Sequence, residues 1–252
     1  MDQVDTCFIP FKNPIDPALI PNQLNDPFGT HVPEIAKIAS RDLQQFLSKN
    51  QDKWLHDFGH KAKNQDWKKG KMFGVLIVKN THNQLGYLAT FSGKLAGVKH
   101  DPIFVPSLFN MATDDDYLTK GMLGLTAMSN EINTTHDKAV LTQLKKARKE
   151  KSIKLQQWLF DQYHFLNLQG ETKSLCDIFE EHMSKPPPSA AGECAAPKLF
   201  QFAFQHQLKP IAIAEFWWGK TTKSAEKVHL NYYPACEERC RPILSYMLSD
   251  EI

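Results

Sequence analysis

The sequence has no apolar run approaching the roughly 20 residues a membrane span needs. Its first residues, Met1, Asp2 and Gln3, lack the basic head and apolar stretch of a secretory signal. Neither membrane insertion nor export is expected. Charge of one sign is also missing: 30 Lys+Arg against 28 Asp+Glu leave a formal net charge of +2. Global electrostatics therefore argue for neither nucleic acid nor a membrane surface, and only local clustering can. Cysteine is scarce and odd in number, with five residues: Cys7, Cys176, Cys194, Cys236 and Cys240. That usage predicts reduced thiols in a cytoplasm rather than a disulfide framework. No GxGxxG, heptad array or long-period repeat occurs. "WGKT" (Trp218 to Thr221) does not make a phosphate-binding loop. The glycine required five positions before Gly219 is Ala214, inside an apolar strand that offers no open nest of backbone N–H groups.

What is present suits a globular chain: 252 residues, 42% hydrophobic and 23% charged, enough for one large domain or two modest ones. Residues 1–31, with Pro10, Pro14, Pro17, Pro21 and Pro27, predict an extended arm over the surface. "HVPEIAKIASRDLQQFLSKN" predicts a first helix, with Pro33 in its first turn and Ile35, Ile38, Leu43, Phe46 and Leu47 as its stripe. Trp54, Leu55 and Phe58 are expected to continue it, before a basic connector from Lys61 to Lys71. "MFGVLIVKN" and "LGYLATFSG", separated by "NTHNQ", predict a hairpin. After the joint "SKPPPSAAG", residues 197–207 read as a helix, "KPIAIAEFWWG" as a buried strand, "HLNYYP" as a connection with strand character, and "CEERCRPILSYML" as a closing helix.

From about Leu118 to Leu168 the pattern is helical and polar. Leu141 and Leu144 start an apolar stripe that resumes only at Leu155, Trp158, Leu159 and Tyr163. A helix without an apolar face projects into solvent or bridges to a partner. Lys138, Lys145, Lys146, Arg148, Lys149, Lys151 and Lys154 stand there against the single acid Glu150. Such a cluster is either a solvated arm or an RNA-phosphate contact that gains affinity by counterion release.

The cysteines carry the other signal. Cys194 precedes one predicted helix, and Cys236 and Cys240, spaced C-x3-C, open another. Orphan N–H groups and the helix dipole favour thiolate at such a position. Three thiolates can hold a tetrahedral Zn2+ with one position open, or His229 can supply a fourth ligand. The competing reading is three reduced, half-buried side chains. His56 and His60 share i, i+4 spacing, but Gly59 lies between them and no HExxH glutamate is present, so surface or capping roles are expected.

The order of helix, hairpin, "ECAAPKL", "PIAIAEFWW" and "YPACEERC" resembles the zinc-dependent nucleobase deaminase fold, which runs helix, hairpin, helix with [His/Cys]-x-Glu, strand, then Pro-Cys-x2-Cys. Two departures stand out: Ala196 occupies the position of the acid/base Glu, and the second cysteine pair is one residue wider. Glu193 and Glu215 are nearby carboxylates outside the motif position. The resemblance therefore implies a degenerate scaffold more than an active deaminase.

"PPSAAGECAAPKLFQFAFQHQLKPIAIAEFWWG", "YPACEERCRPIL", "MFGVLIVKN…LGYLATFSGKLAG" and "LQQWLFDQYHFLN" look like the long N-terminal region of RluA-family pseudouridine synthases. In that family a catalytic domain follows, whose Arg-Leu-Asp signature supplies an Asp that attacks uridine in RNA. No such signature occurs here; Arg41 and Asp42 in "SRDLQQ" lie on a predicted helix in a different context. The resemblance implies a non-catalytic accessory domain of an isomerase that modifies RNA, with the catalytic domain as its partner. It also implies Lys145, Lys146, Arg148, Lys149, Lys151 and Lys154 as phosphate contacts.

The expectation is thus an α+β or α/β protein with a small mixed sheet and flanking helices. The core spans 32–109 and 186–252, and 110–185 form a helical insertion with the basic arm. Candidate metal ligands are Cys194, Cys236, Cys240 and His229, and no other cofactor is expected. An interaction scaffold, packing on a catalytic domain or on a second copy, is the remaining alternative.

Overall fold

The computed structural model describes residues 6–54, 56, 58–59, 70–93, 95, 101–108, 116–222, 224 and 226–249. His60, Leu55 and most of the basic connector after Lys61 lie outside the described residues. Strand β1 (Ile9–Pro10) is followed by α1 (Glu34–Lys49), β2 (Lys71–Lys79) and β3 (Leu85–Phe91). Two long helices, α2 (Asp116–Thr134) and α3 (Lys138–Asp161), lead to the short pair β4 (His164–Leu166) and β5 (Thr172–Ser174). Then come α4 (Leu175–Met183), α5 (Ala195–Gln205), β6 (Lys209–Trp218), β7 (Tyr232–Tyr233) and α6 (Glu237–Met247). The fold is α+β.

The hairpin forms where the β-branched and aromatic runs predict it. Asn80 organises its turn, its side-chain oxygen accepting from the backbone N–H groups of His82 and Gln84 at 3.0 and 2.9 Å. β2 then pairs with β6 as well, giving the sheet order β1-β3-β2-β6-β7. Every strand pair in it is antiparallel; parallel pairing is confined to one isolated bridge, Ala89 to Phe104. Alternation along β2 splits the core into two layers. Phe73, Val75 and Ile77 face α1, which contributes Ile35, Ala36, Ala39, Leu43 and Leu47. Leu76 and Val78 face α5 and α6, which contribute Leu199, Phe200, Ala203, Ile243, Leu244 and Met247. Each fully buried apolar side chain of this size contributes about 1.5–3 kcal/mol.

α1 stops at Lys49, earlier than expected, because Asn50 caps it and Phe58 has a positive φ of 51°. The side-chain amide of Asn50 donates to the Phe46 carbonyl at 2.7 Å. Trp54 and Phe58 still reach the α1-side core, packing edge to face with centroids 6.0 Å apart. Gly219 lets the chain pass this cluster: its φ is 103°, and a Cβ there would collide with the Phe58 carbonyl.

α2 and α3 pack on each other through Leu118, Leu125 and Leu155, while Phe160, Tyr163 and Phe165 return the chain to the main core. Leu175, Ile178 and Phe179 of α4 belong to that same core. Among the described residues no helix is long and apolar enough to cross a membrane.

The N-terminal arm is tied to the sheet. β1 pairs with β3, and Pro17–Leu19 form a 3-10 turn capped by Asp16. Asn25 lies beside β6 like a strand residue, donating to the Ile213 carbonyl at 3.1 Å and accepting the Ile213 N–H at 2.8 Å. Asn25→Ala would leave both backbone groups unpaired at a part-buried site. A loss of about 2 kcal/mol in denaturant unfolding is expected, and unchanged stability would show that the arm is not anchored there.

Candidate metal centre

Two helix N-termini meet on the α5/α6 side of β6. A tight turn through Ala190 (φ 63°) and Gly192 (φ 89°) delivers Cys194 in an extended conformation as the N-cap of α5. Pro197 then sits in the first turn, where its missing N–H is no loss. Cys236 is the N-cap of α6, held in place by the Ala235 N–H donating to the Pro27 carbonyl at 2.9 Å. Cys240 lies one helical turn on, so the C-x3-C spacing puts both thiols on one face.

The three sulfurs lie within 4.8 Å of one another, with Cys194–Cys236 at 3.9 Å and Cys236–Cys240 at 3.3 Å. At a Zn–S length of ≈ 2.3 Å a tetrahedron has edges of roughly 3.8 Å, so the trio fits a zinc ion with small adjustments. Cys240 is buried, Cys194 partly so, and Cys236 exposed. Without metal the thiols share protons unequally. Hydrogen bonding with Cys194 and Cys240, helped by the backbone N–H groups of Arg239 and Cys240, pushes Cys236 below the usual thiol range. Cys194 is raised by its hydrogen bond to Cys236, and Cys240 by its bonds to Cys194 and Cys236. Cys236 is thus the most acidic of the three thiols.

His229 is not in the group. Its Nδ1 accepts the Gly219 N–H at 3.0 Å and its ring stacks edge to face on Trp218 at 4.8 Å, so it fixes the end of β6. Among the described residues the thiols make a three-donor set, which leaves a tetrahedral ion one position for an outside ligand.

Charged side chains surround the thiols. Glu215, 7% exposed, sits on β6 opposite Gly74, and its carboxylate lies near the backbone N–H of Ala196, which favours its charged form. Burial first, then the Cys236 thiolate, push Glu215 up to about 7. Lys198, 1% exposed, donates to the Phe91 carbonyl at 2.5 Å and is pushed down to about 8 by desolvation. Glu193 accepts from the Tyr163 hydroxyl, while its Oε2 is buried without a hydrogen-bond partner. From sequence Lys198 has no assigned role, and Tyr163 is read only as part of the apolar stripe of α3. The available signal was a lysine inside the otherwise apolar "AAPKLFQFAF".

The basic residues of α3 do not form one face. Arg148 donates to Ser129 of α2 at 2.7 Å, and Lys151 lies across Gly124 of α2. Lys145, Lys146, Lys149 and Lys154 are exposed. At about 100° per residue, Lys138, Lys145 and Lys149 fall on one flank, Lys146 points outward and Lys154 lies on the other flank. No family model matches the chain, and neither the curated proteins nor the solved structures include a match.

In metal-free protein, Glu215 binds its proton more tightly folded than unfolded, since its value rises from 4.5 to about 7. Stability from this group is full below about 4.5 and is lost as pH rises through about 7, by about 3 kcal/mol. Metal-free Glu215→Gln should therefore melt with the parent near pH 4.5 and above it at pH 8. Equal midpoints at pH 8 would refute the assignment.

Proposed function

We propose that this chain is a zinc-carrying accessory module of an RNA-modifying enzyme of the RluA pseudouridine synthase kind, and that it engages RNA without isomerising uridine itself. The observation that carries the zinc half is the meeting of three thiols at two helix N-termini. "GECAAPKL", "AEFWWG" and "YPACEERC", the stretches on which the family resemblance rests, are also the ones that build this site. Cys194, Cys236 and Cys240 would hold the ion. When bound, zinc supplies Lewis-acid polarisation of whatever donor fills its remaining position. Lys198 supplies compensating positive charge beside a centre whose three thiolates outweigh a divalent ion.

Metal analysis of the purified chain is expected to give about one zinc per chain, lost in Cys236→Ser and kept in Cys176→Ser. Cys176 lies on α4, in contact with Gln157, and serves as the control. A metal-free parent, purified without chelator, would end the zinc half of the proposal.

The RNA half rests on the resemblance and on the flank formed by Lys138, Lys145 and Lys149. Log affinity for a structured RNA should fall linearly with log salt. Charge reversal of Lys145 and Lys149 together should reduce that slope by about 1.5. Neutralising Arg148 and Lys151, which lie against α2, should change it less. Salt-insensitive or absent binding would sink this half.

One observation favours a second reading, zinc-dependent hydrolysis of a nucleobase amine. The Glu215 carboxylate lies near the N–H of Ala196, the residue standing where a deaminase carries its glutamate. Glu215 thereby brings a proton-holding group to that place from the neighbouring strand. Release of ammonia from cytidine or adenosine by zinc-loaded protein, abolished in Glu215→Gln, is the outcome this reading requires. No release from any nucleoside excludes it.

A further inference from the structure

A second site lies at the opposite end of β6 from its tryptophans. A cleft of ≈ 590 Å³ opens between the N-terminal arm and the ends of β2 and β6. Ile20, Asn22 and Gln23 form the arm side, and Lys79, Lys209 and Ile211 the sheet side. The arm wall is fixed, because Asn25 just beyond it is hydrogen-bonded to Ile213 through both backbone groups.

The two lysines are neighbours because of a β-bulge. β2 and β6 pair Ile77 with Ala212 but Val78 with Pro210, so Ile211 is the extra residue. Without that insertion Lys79 would face Pro210. With it, Lys79 stands directly opposite Lys209, a pairing that puts the Cβ atoms about 4.5–5.5 Å apart and is unfavourable for like charges. Neither ammonium has an ion pair, hydrogen bond or ring contact among the described residues. Edge protection, a common reason for lysine on a strand, does not account for Lys79, which lies between Leu85 of β3 and Lys209 of β6. Two unpaired lysines on facing residues, beside Ile20 and the edge of Ile211 and two side-chain amides, suit an anion attached to a flat apolar group.

We propose that this cleft binds a nucleotide, its phosphate between Lys79 and Lys209 and its base against Ile20 and Ile211 with Asn22 and Gln23 at the base edges. A second, shallower cleft of ≈ 400 Å³ shares Leu24, Lys209 and Pro210 with the first. The site is separate from the thiols and from α3, and it stands whether or not the zinc and helical-arm readings hold.

The test uses the full chain at low ionic strength, with uridine 5′-monophosphate, inorganic phosphate and a short single-stranded oligouridylate as probes. Backbone amide shifts of residues 20–24, 79 and 209–211 report binding in the parent without relying on a variant. Calorimetry compares the parent with Lys79→Gln and with the Lys79→Gln/Lys209→Gln pair. The nucleotide is expected to shift those amides, and the double variant to weaken its binding at least tenfold. The same variant without ligand should melt higher than the parent at low salt and equal to it at high salt, from relief of the repulsion. If the mononucleotide and the oligonucleotide both bind, the site takes any nucleotide; if only the oligonucleotide does, it serves RNA. Shifts no larger than equal ionic strength of chloride produces would overturn the proposal. So would oligonucleotide binding lost on charge reversal of Lys145 and Lys149 but intact in the Lys79/Lys209 pair, which would leave the helical-arm reading standing alone.

Discussion

The antiparallel pairing of β2 with β6 is the constraint on which the rest depends. It joins Lys71–Lys79 to Lys209–Trp218 across a long stretch of chain, so the loop entropy of that closure must be met by the core it creates. One face of the pair receives α1, the other α5 and α6. Its register also sets chemistry. Gly74 opposite Glu215 leaves room for a carboxylate beside Ala195 and Leu199, while the shift at Ile211 brings two lysines level. One ladder therefore places an acid in its middle and a basic pair at its end.

The metal centre is built from polar groups that an apolar core would otherwise reject. Lys198 and Glu215 are both buried, and burial alone would discharge them. Lys198 is held by the Phe91 carbonyl, and Glu215 lies near the Ala196 N–H, which partly offsets its burial. With three sulfurs at two helix mouths, the local field favours negative charge on the sulfurs and positive charge near them.

Much of this was legible in the residues. The period of α1, the β-branched hairpin and the run "PIAIAEFWW" state their elements directly, and the cysteines at predicted helix starts do lie together. Three features were hidden for physical reasons. C-x3-C looked too wide until the helix placed Cys236 and Cys240 on the same turn. His229 looked like a ligand by type, yet its Nδ1 accepts the Gly219 N–H, its ring lies on Trp218, and it stands outside the thiol group. The cations of α3 read as one cluster in sequence, whereas the packing of α2 draws off Arg148 and Lys151. Spacing along the chain records local geometry well. It does not record which partner a side chain finds across the fold, and the bulge at Ile211 is invisible for the same reason.

The hydrogen bond from Tyr163 to Glu193 has a mechanical side. Tyr163 lies just past the end of α3, and Glu193 is joined through one peptide bond to Cys194. The helical pair is thus a lever whose short end is pinned next to a sulfur. A displacement of that end of α3 is therefore passed to the turn that carries Cys194.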